Sequence, residues 1–150
     1  MRWTKAFFLL LVLGSAALAS AFSQRSRVEQ THPDELAGVT TVFIDTGLDR
    51  QSRDMIVTEI ENYLPDLIIV ARPEGADIHL KFSLTVKVVT PALIPQRTSL
   101  GMVFKVLDDH RLRVLMRYWR VDHGLKLGKP DPSQEFAEEF VKAYRQANRK

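Results

Sequence analysis

Between residues 78 and 88 the chain alternates without interruption. Ile78, Leu80, Phe82, Leu84, Val86 and Val88 fall on one side, and His79, Lys81, Ser83, Thr85 and Lys87 fall on the other. A period of two belongs to a strand with one face in a core and the other in water, the usual condition of an antiparallel sheet. This run commits the chain to a sheet with one covered and one open face. The other segments must extend that sheet and cover it.

They divide accordingly. Val39-Thr40-Thr41-Val42-Phe43-Ile44 is β-branched and aromatic and stops at Asp45-Thr46-Gly47, which marks a first strand and its turn. Met55, Ile56, Ile60, Tyr63 and Leu64 then share one face of a helix that starts near Ser52 and ends before Pro65. Leu67-Ile68-Ile69-Val70 is a short apolar strand closed by Arg72-Pro73-Glu74-Gly75. After the alternating run, Pro91 and Pro95 impose a loop.

Met102, Phe104 and Val106 next alternate with Val103, Lys105 and Leu107. Asp108-Asp109-His110-Arg111 separates them from a second alternating arm, Leu112 to Val121, which makes a hairpin. In that arm Leu112, Val114, Met116 and Tyr118 are expected inside, with Arg113, Leu115, Arg117 and Trp119 outside. A final helix is signalled by Asp131 as N-cap, Pro132 at the first helical position and Gln134 completing a capping box. Phe136, Ala137, Phe140, Val141 and Tyr144 form its apolar stripe. The order β-α-β-β-β-β-α predicts an α+β fold, a two-layer sandwich of a mostly antiparallel sheet with both helices on one face.

The amino terminus carries a different kind of information. Arg2 and Lys5 precede an apolar run from Ala6 to Leu13, and small residues end in Ala19-Ser20-Ala21. That is the charge, length and cleavage chemistry of a secretory signal peptide, with the cut expected after Ala21 or alternatively after Ala19. The run is shorter than the roughly 20 residues a membrane-spanning helix needs, so no stable membrane anchor is expected after cleavage. The expected organisation is a signal peptide over 1–21, a polar flexible tether over 22–38 and one α+β domain over 39–150. The localisation is then periplasmic or secreted.

Composition narrows the function. The chain has no cysteine, which excludes thiol catalysis, disulfide stapling and the lipid-bearing cysteine of a bacterial lipoprotein. Its formal charge of +3 falls to about +1 once Arg2 and Lys5 leave, so there is no global case for nucleic acid. No Gly-x-Ser-x-Gly, His-Glu-x-x-His or phosphate-cradling glycine loop occurs. Asp108-Asp109-His110 and Asp122-His123 hold metal-ligand chemistry, but the second hairpin arm sets them about 40 Å apart at strand rise. They are expected as solvated turns, and no catalytic residue, metal site or cofactor is expected.

The layout from Val39 to Ala147 also supports a comparison. Val42-Phe43-Ile44-Asp45, the helix ending in Tyr63-Leu64, the turn into Gly75-Ala76-Asp77-Ile78-His79-Leu80 and the hairpin into a closing helix resemble small exported bacterial domains. These are the amino-terminal domain of the Tol-system protein TolB and the periplasmic domains of curli-secretion-type lipoproteins. The resemblance implies an envelope-associated, non-catalytic binding or assembly module whose partner is an envelope protein. Its open sheet face is expected to carry His79, Lys81, Lys105, Arg113, Arg117 and Trp119, a mixed basic and aromatic surface. Arginine and tryptophan dominate binding hot spots, so either a partner covers Trp119 or the tether or the Pro91–Pro95 loop does. His79 either titrates near neutrality as a ligand contact or is a polar residue on a wet face. The competing class is an exported hydrolase or small-ligand carrier, for which Asp45, Asp108 and His123 would converge on a pocket.

Overall fold

The structure is a computed structural model that describes residues 25–89, 94–108, 110–124 and 129–149. In chain order these form β1 (Arg25–Gln30), a 3₁₀ turn (Pro33–Leu36), β2 (Thr41–Asp45), α1 (Arg50–Tyr63), β3 (Ile68–Val70), a second 3₁₀ turn (Pro73–Gly75), β4 (Ile78–Val89), β5 (Ile94–Val106), β6 (Leu112–His123) and α2 (Pro132–Ala147). All six strands join one sheet in the order β1-β6-β5-β4-β2-β3. Pairing is antiparallel from β1 to β4, and β2 runs parallel to both β4 and β3. This is the mostly antiparallel α+β architecture that the alternation demands. The expected signal peptide, with Ala19 and Ala21, lies outside the described residues, as do Pro91 and Asp109.

Both helices start where their caps place them. Asp49 accepts from the Ser52 amide at 3.0 Å and from its hydroxyl at 2.7 Å, which opens α1 two residues before the expected Ser52. Asp131 accepts from the Ser133 amide at 2.9 Å with Pro132 at the first helical position. Gln134 does not close a capping box. Its amide donates to Glu138 at 3.2 Å, one turn along the helix.

The covered layer is built from Val42, Ile44, Ile78, Leu80, Phe82, Val103, Leu115, Met116 and Tyr118 of the sheet against Ile56, Ile60, Phe136 and Phe140 of the helices. Each such side chain contributes about 1.5–3 kcal/mol by leaving water. Asp77 pins the entry to this layer. One carboxylate oxygen accepts from the Thr40 amide at 2.8 Å, the Thr41 amide at 2.9 Å and the Thr40 hydroxyl at 3.0 Å, which fixes β2 beside β4. These donors, led by the Thr40 amide, hold the Asp77 carboxyl below its ordinary pKa.

From Arg25 onward, the segment expected as a tether is part of the fold. Residues 25–30 form β1, paired to β6. Leu36 is 1 % exposed, and the Asn148 side chain donates to its carbonyl at 3.1 Å. The Tyr144 hydroxyl reaches the Val39 carbonyl at 2.7 Å. A polar composition misleads here because β1 is an edge strand: Val28 is the apolar side chain it packs against the core, and Arg27 and Glu29 alternate with it.

Three further expectations change. Pro95 lies inside β5, opposite Val88, instead of in a loop. Leu84, Val86 and Val88 keep the parity of the core residues Leu80 and Phe82, yet Val86 and Val88 are 54 % and 62 % exposed because the β4–β5 arm outruns the helix layer. The third is the facing of β5 itself. Val103, not Met102 or Phe104, points into the covered layer. Gly101 shows why, because a Cβ built there would stand 2.4 Å from the Phe136 ring. The strand meets α2 through Gly101 and Val103, and glycine inside a strand marks this kind of close approach.

Candidate functional site

Reversing β5 rearranges the open face. Three cross-strand rows run over it. The first aligns Phe43, His79, Phe104 and Val114, the second Asp45, Lys81, Met102, Arg117 and Glu29, and the third Ser83, Leu100, Trp119 and Arg27.

The first row removes His79 from the wet surface. Its ring stacks on Phe104 at a centroid distance of 5.1 Å and meets Phe43 edge-on at 5.8 Å, leaving the residue 8 % exposed. Burial lowers its pKa below the ordinary histidine value, so the ring is neutral at physiological pH. His79 is a packing residue between two phenylalanines.

Lys105 and Arg113 leave the open face as well. Lys105 has the parity of the buried Val103, and Arg113 sits opposite it across the hairpin. A β-bulge puts Leu115 as an extra residue between the Val103–Met116 and Phe104–Val114 pairs, so Leu115 and Met116 are both fully buried. Alternation before the bulge is therefore shifted by one, which turns Arg113 towards the 3₁₀ turn at Pro33–Leu36. There its guanidinium donates to Glu35 at 2.9 Å, and that bond holds the Glu35 carboxyl below its ordinary pKa.

Lys81, Arg117 and Trp119 do come together. With Leu100 and Met102 they line a shallow pocket of about 320 Å³ over the paired backbones of Gly101 and Tyr118. Trp119 is 44 % exposed and Leu100 50 %, so apolar surface faces solvent between two cations. The cations are not a net basic patch. Lys81 stands 3.9 Å from Asp45 and Arg117 stands 3.9 Å from Glu29, and all four side chains are more than two-fifths exposed. Contacts this long and wet contribute at most about 1 kcal/mol, so each cation is free to exchange its carboxylate for another.

Alternation carried past Tyr118 leads to Arg120, which the sequence patterns give no role, and to Asp122, which is expected in a solvated turn and is instead buried within β6. Arg120 and Asp122 continue the inward series of Met116 and Tyr118, and they are 1 % and 3 % exposed. The Arg120 guanidinium donates to Asp122 at 3.0 Å, to the Pro130 carbonyl at 3.2 Å and to Glu135 of α2, which also accepts from the Tyr118 hydroxyl at 3.2 Å. Burial, with the Glu135 charge, raises the Tyr118 pKa far above the ordinary phenol value. This cluster ties β6 to the first turn of α2. The inward parity of residues 120 and 122 was the available signal.

The geometry does not assemble a hydrolytic site from the candidate triad. Asp45 pairs with Lys81 in the middle of the sheet, whereas His123 pairs with Gln96, which itself faces Lys87, about 20 Å further along β4 at strand rise. Asp108 lies beyond the other end of β5, in the hairpin turn. There His110 takes φ 61° and its amide donates to the Leu107 carbonyl at 2.8 Å. Asp122 is at the far end of β6 from that turn. Among the described residues no group of three or more His, Asp or Glu could hold a metal ion, and no helix is long and apolar enough to cross a membrane.

No family model matches the sequence, and no curated protein matches it. Among solved structures, the chain is similar to the PelC dodecamer from Paraburkholderia phytofirmans, at 12 % identity and a TM-score of 0.48 over 84 % of this chain and 100 % of that one. It is also similar to a DUF4136 family protein from Bacteroides thetaiotaomicron, at 9 % identity and a TM-score of 0.49 over 83 % of this chain and 93 % of that one.

Proposed function

We propose that this protein is an exported, non-catalytic binding or assembly module of the bacterial envelope that presents the open face of its sheet to another envelope protein. The observation that carries the reading is the Trp119 groove. The Trp119 and Leu100 side chains stand in solvent beside the half-buried Met102, flanked by Lys81 and Arg117 with loose carboxylate partners. An apolar centre with a charged rim is the anatomy of a protein interface, and Trp and Arg are its usual anchors.

Export rests on the amino-terminal pattern of Arg2, Lys5, the apolar run and Ala19-Ser20-Ala21, and places the working protein in the periplasm or outside the cell. Kinship with TolB amino-terminal and curli-secretion-type domains rests on element order and on the Ala76-Asp77 entry to β4. Asp77 gives that entry a physical role, since it clamps β2 against β4.

The test is capture of crosslinked partners from envelope extract with the wild-type chain and with the Arg117→Ala/Trp119→Ala variant. The expected result is a specific partner that the variant loses while keeping its thermal midpoint. A partner retained by the variant would reduce the open face to solvated scaffold.

A further inference from the structure

The exposed edge of β1 carries a pattern of its own. Among the described residues β6 is the one neighbour of this strand. The Thr31 amide donates to the Leu115 carbonyl at 2.9 Å, which fixes the direction of the ladder. In an antiparallel pair the groups facing the neighbour recur every second residue, so Glu29, Arg27 and Arg25 bond to β6. The backbone groups of Ser26, Val28 and Gln30 are left pointing out of the sheet. Such an edge is a template for another strand.

The side chains select which strand. A second copy of β1 added antiparallel across a two-fold axis must pair through Ser26, Val28 and Gln30. With the axis at Val28, Val28 faces Val28 and Ser26 faces Gln30. Arg27 then faces Glu29 twice, at the non-hydrogen-bonded positions where side chains approach most closely. The neighbouring registers lose this match. An axis at Ser26 sets Arg25 against Arg27, an axis at Arg27 or Glu29 sets that residue against itself, and an axis at Gln30 sets Arg27 against Pro33. Arg27 and Glu29 are both exposed, and among the described residues the one ion pair of Glu29 is the loose 3.9 Å contact with Arg117.

We propose that the protein forms a two-fold dimer through antiparallel β1–β1 pairing centred on Val28, specified by two reciprocal Arg27–Glu29 ion pairs. The sheet then runs continuously through both protomers. An axis normal to the sheet keeps like faces on one side, so both Trp119 grooves open in the same direction, and Arg27 lies directly beside Trp119 in each. A partner with two copies of its own docking segment would gain avidity from this arrangement. The dimer stands independently of the identity of any such partner.

The experiment is sedimentation equilibrium of the full chain and of three variants, Arg27→Glu, Glu29→Arg and the double exchange Arg27→Glu/Glu29→Arg, with circular dichroism confirming the fold of each. A dimer is expected for the wild type. Each single variant places like charges opposite one another twice and weakens association roughly tenfold or more, and the double exchange restores it. Ser26→Pro, which removes an outward amide without touching the ladder to β6, should be monomeric while keeping the circular dichroism spectrum of the wild type. A monomeric wild type, single variants that associate as the wild type does, or a double exchange no better than the singles would each overturn the proposal.

Discussion

Two arginines three residues apart on β6 have opposite fates. Arg120 points under α2, is 1 % exposed and is gripped by Asp122, Glu135 and the Pro130 carbonyl. Arg117 points into solvent beside Trp119, and its acidic partner stands 3.9 Å away. The strand uses one charge to join sheet and helix and leaves the other uncommitted. A charged residue on a sheet is therefore informative only once its face is known. Removing a buried charge strands its partners in a medium that solvates them poorly, whereas removing an exposed one leaves them to water.

The largest effect should come from breaking the committed side. Arg120→Ala leaves Asp122 and Glu135 without their guanidinium and should cost about 3–5 kcal/mol in denaturant unfolding. Gly101→Ala should cost about 1–3 kcal/mol by the same measurement, because its methyl would overlap the fully buried Phe136 ring. A smaller effect belongs to His79. Its pKa is lowered from 6.5 by burial, so the unfolded chain takes up the proton first as pH falls. Its contribution is complete above about pH 6.5 and declines below it, and thermal midpoints between about pH 6.5 and pH 5 should fall less steeply for His79→Gln than for the wild type. Smallest is the uncommitted side, where Arg117→Ala and Trp119→Ala should each shift stability by no more than about 0.5 kcal/mol. A cost near that of Arg120→Ala would erase the contrast.

Much of this fold is legible in the sequence because its signals are local. Asp131 and Pro132 start α2 where capping chemistry puts them, and the alternation from Ile78 to Phe82 identifies the strand that turns Ile78, Leu80 and Phe82 into the core. The candidate site was less legible because it depends on parity between strands. Gly101 was the clue that β5 turns Val103 inward, and with β5 reversed, Phe104 covers His79. The bulge at Leu115 is invisible to strict alternation, which therefore puts Arg113 on the wrong face. β1 carries little apolar signal, since an edge strand places few side chains in the core. Lys81, Arg117 and Trp119 share the open face that alternation gives them because no irregularity separates them from the regular part of their strands.

The central claim is that the Trp119 face, and not simply any exposed surface, meets a partner. The direct measurement is photocrosslinking in cells with a benzophenone side chain replacing Trp119 in one chain and, in another, Tyr63, which is comparably exposed at 47 % near the end of α1. The account predicts adducts with another protein from position 119 and none from position 63. Equal adducts from both positions, or none beyond multiples of this chain from position 119, would contradict it.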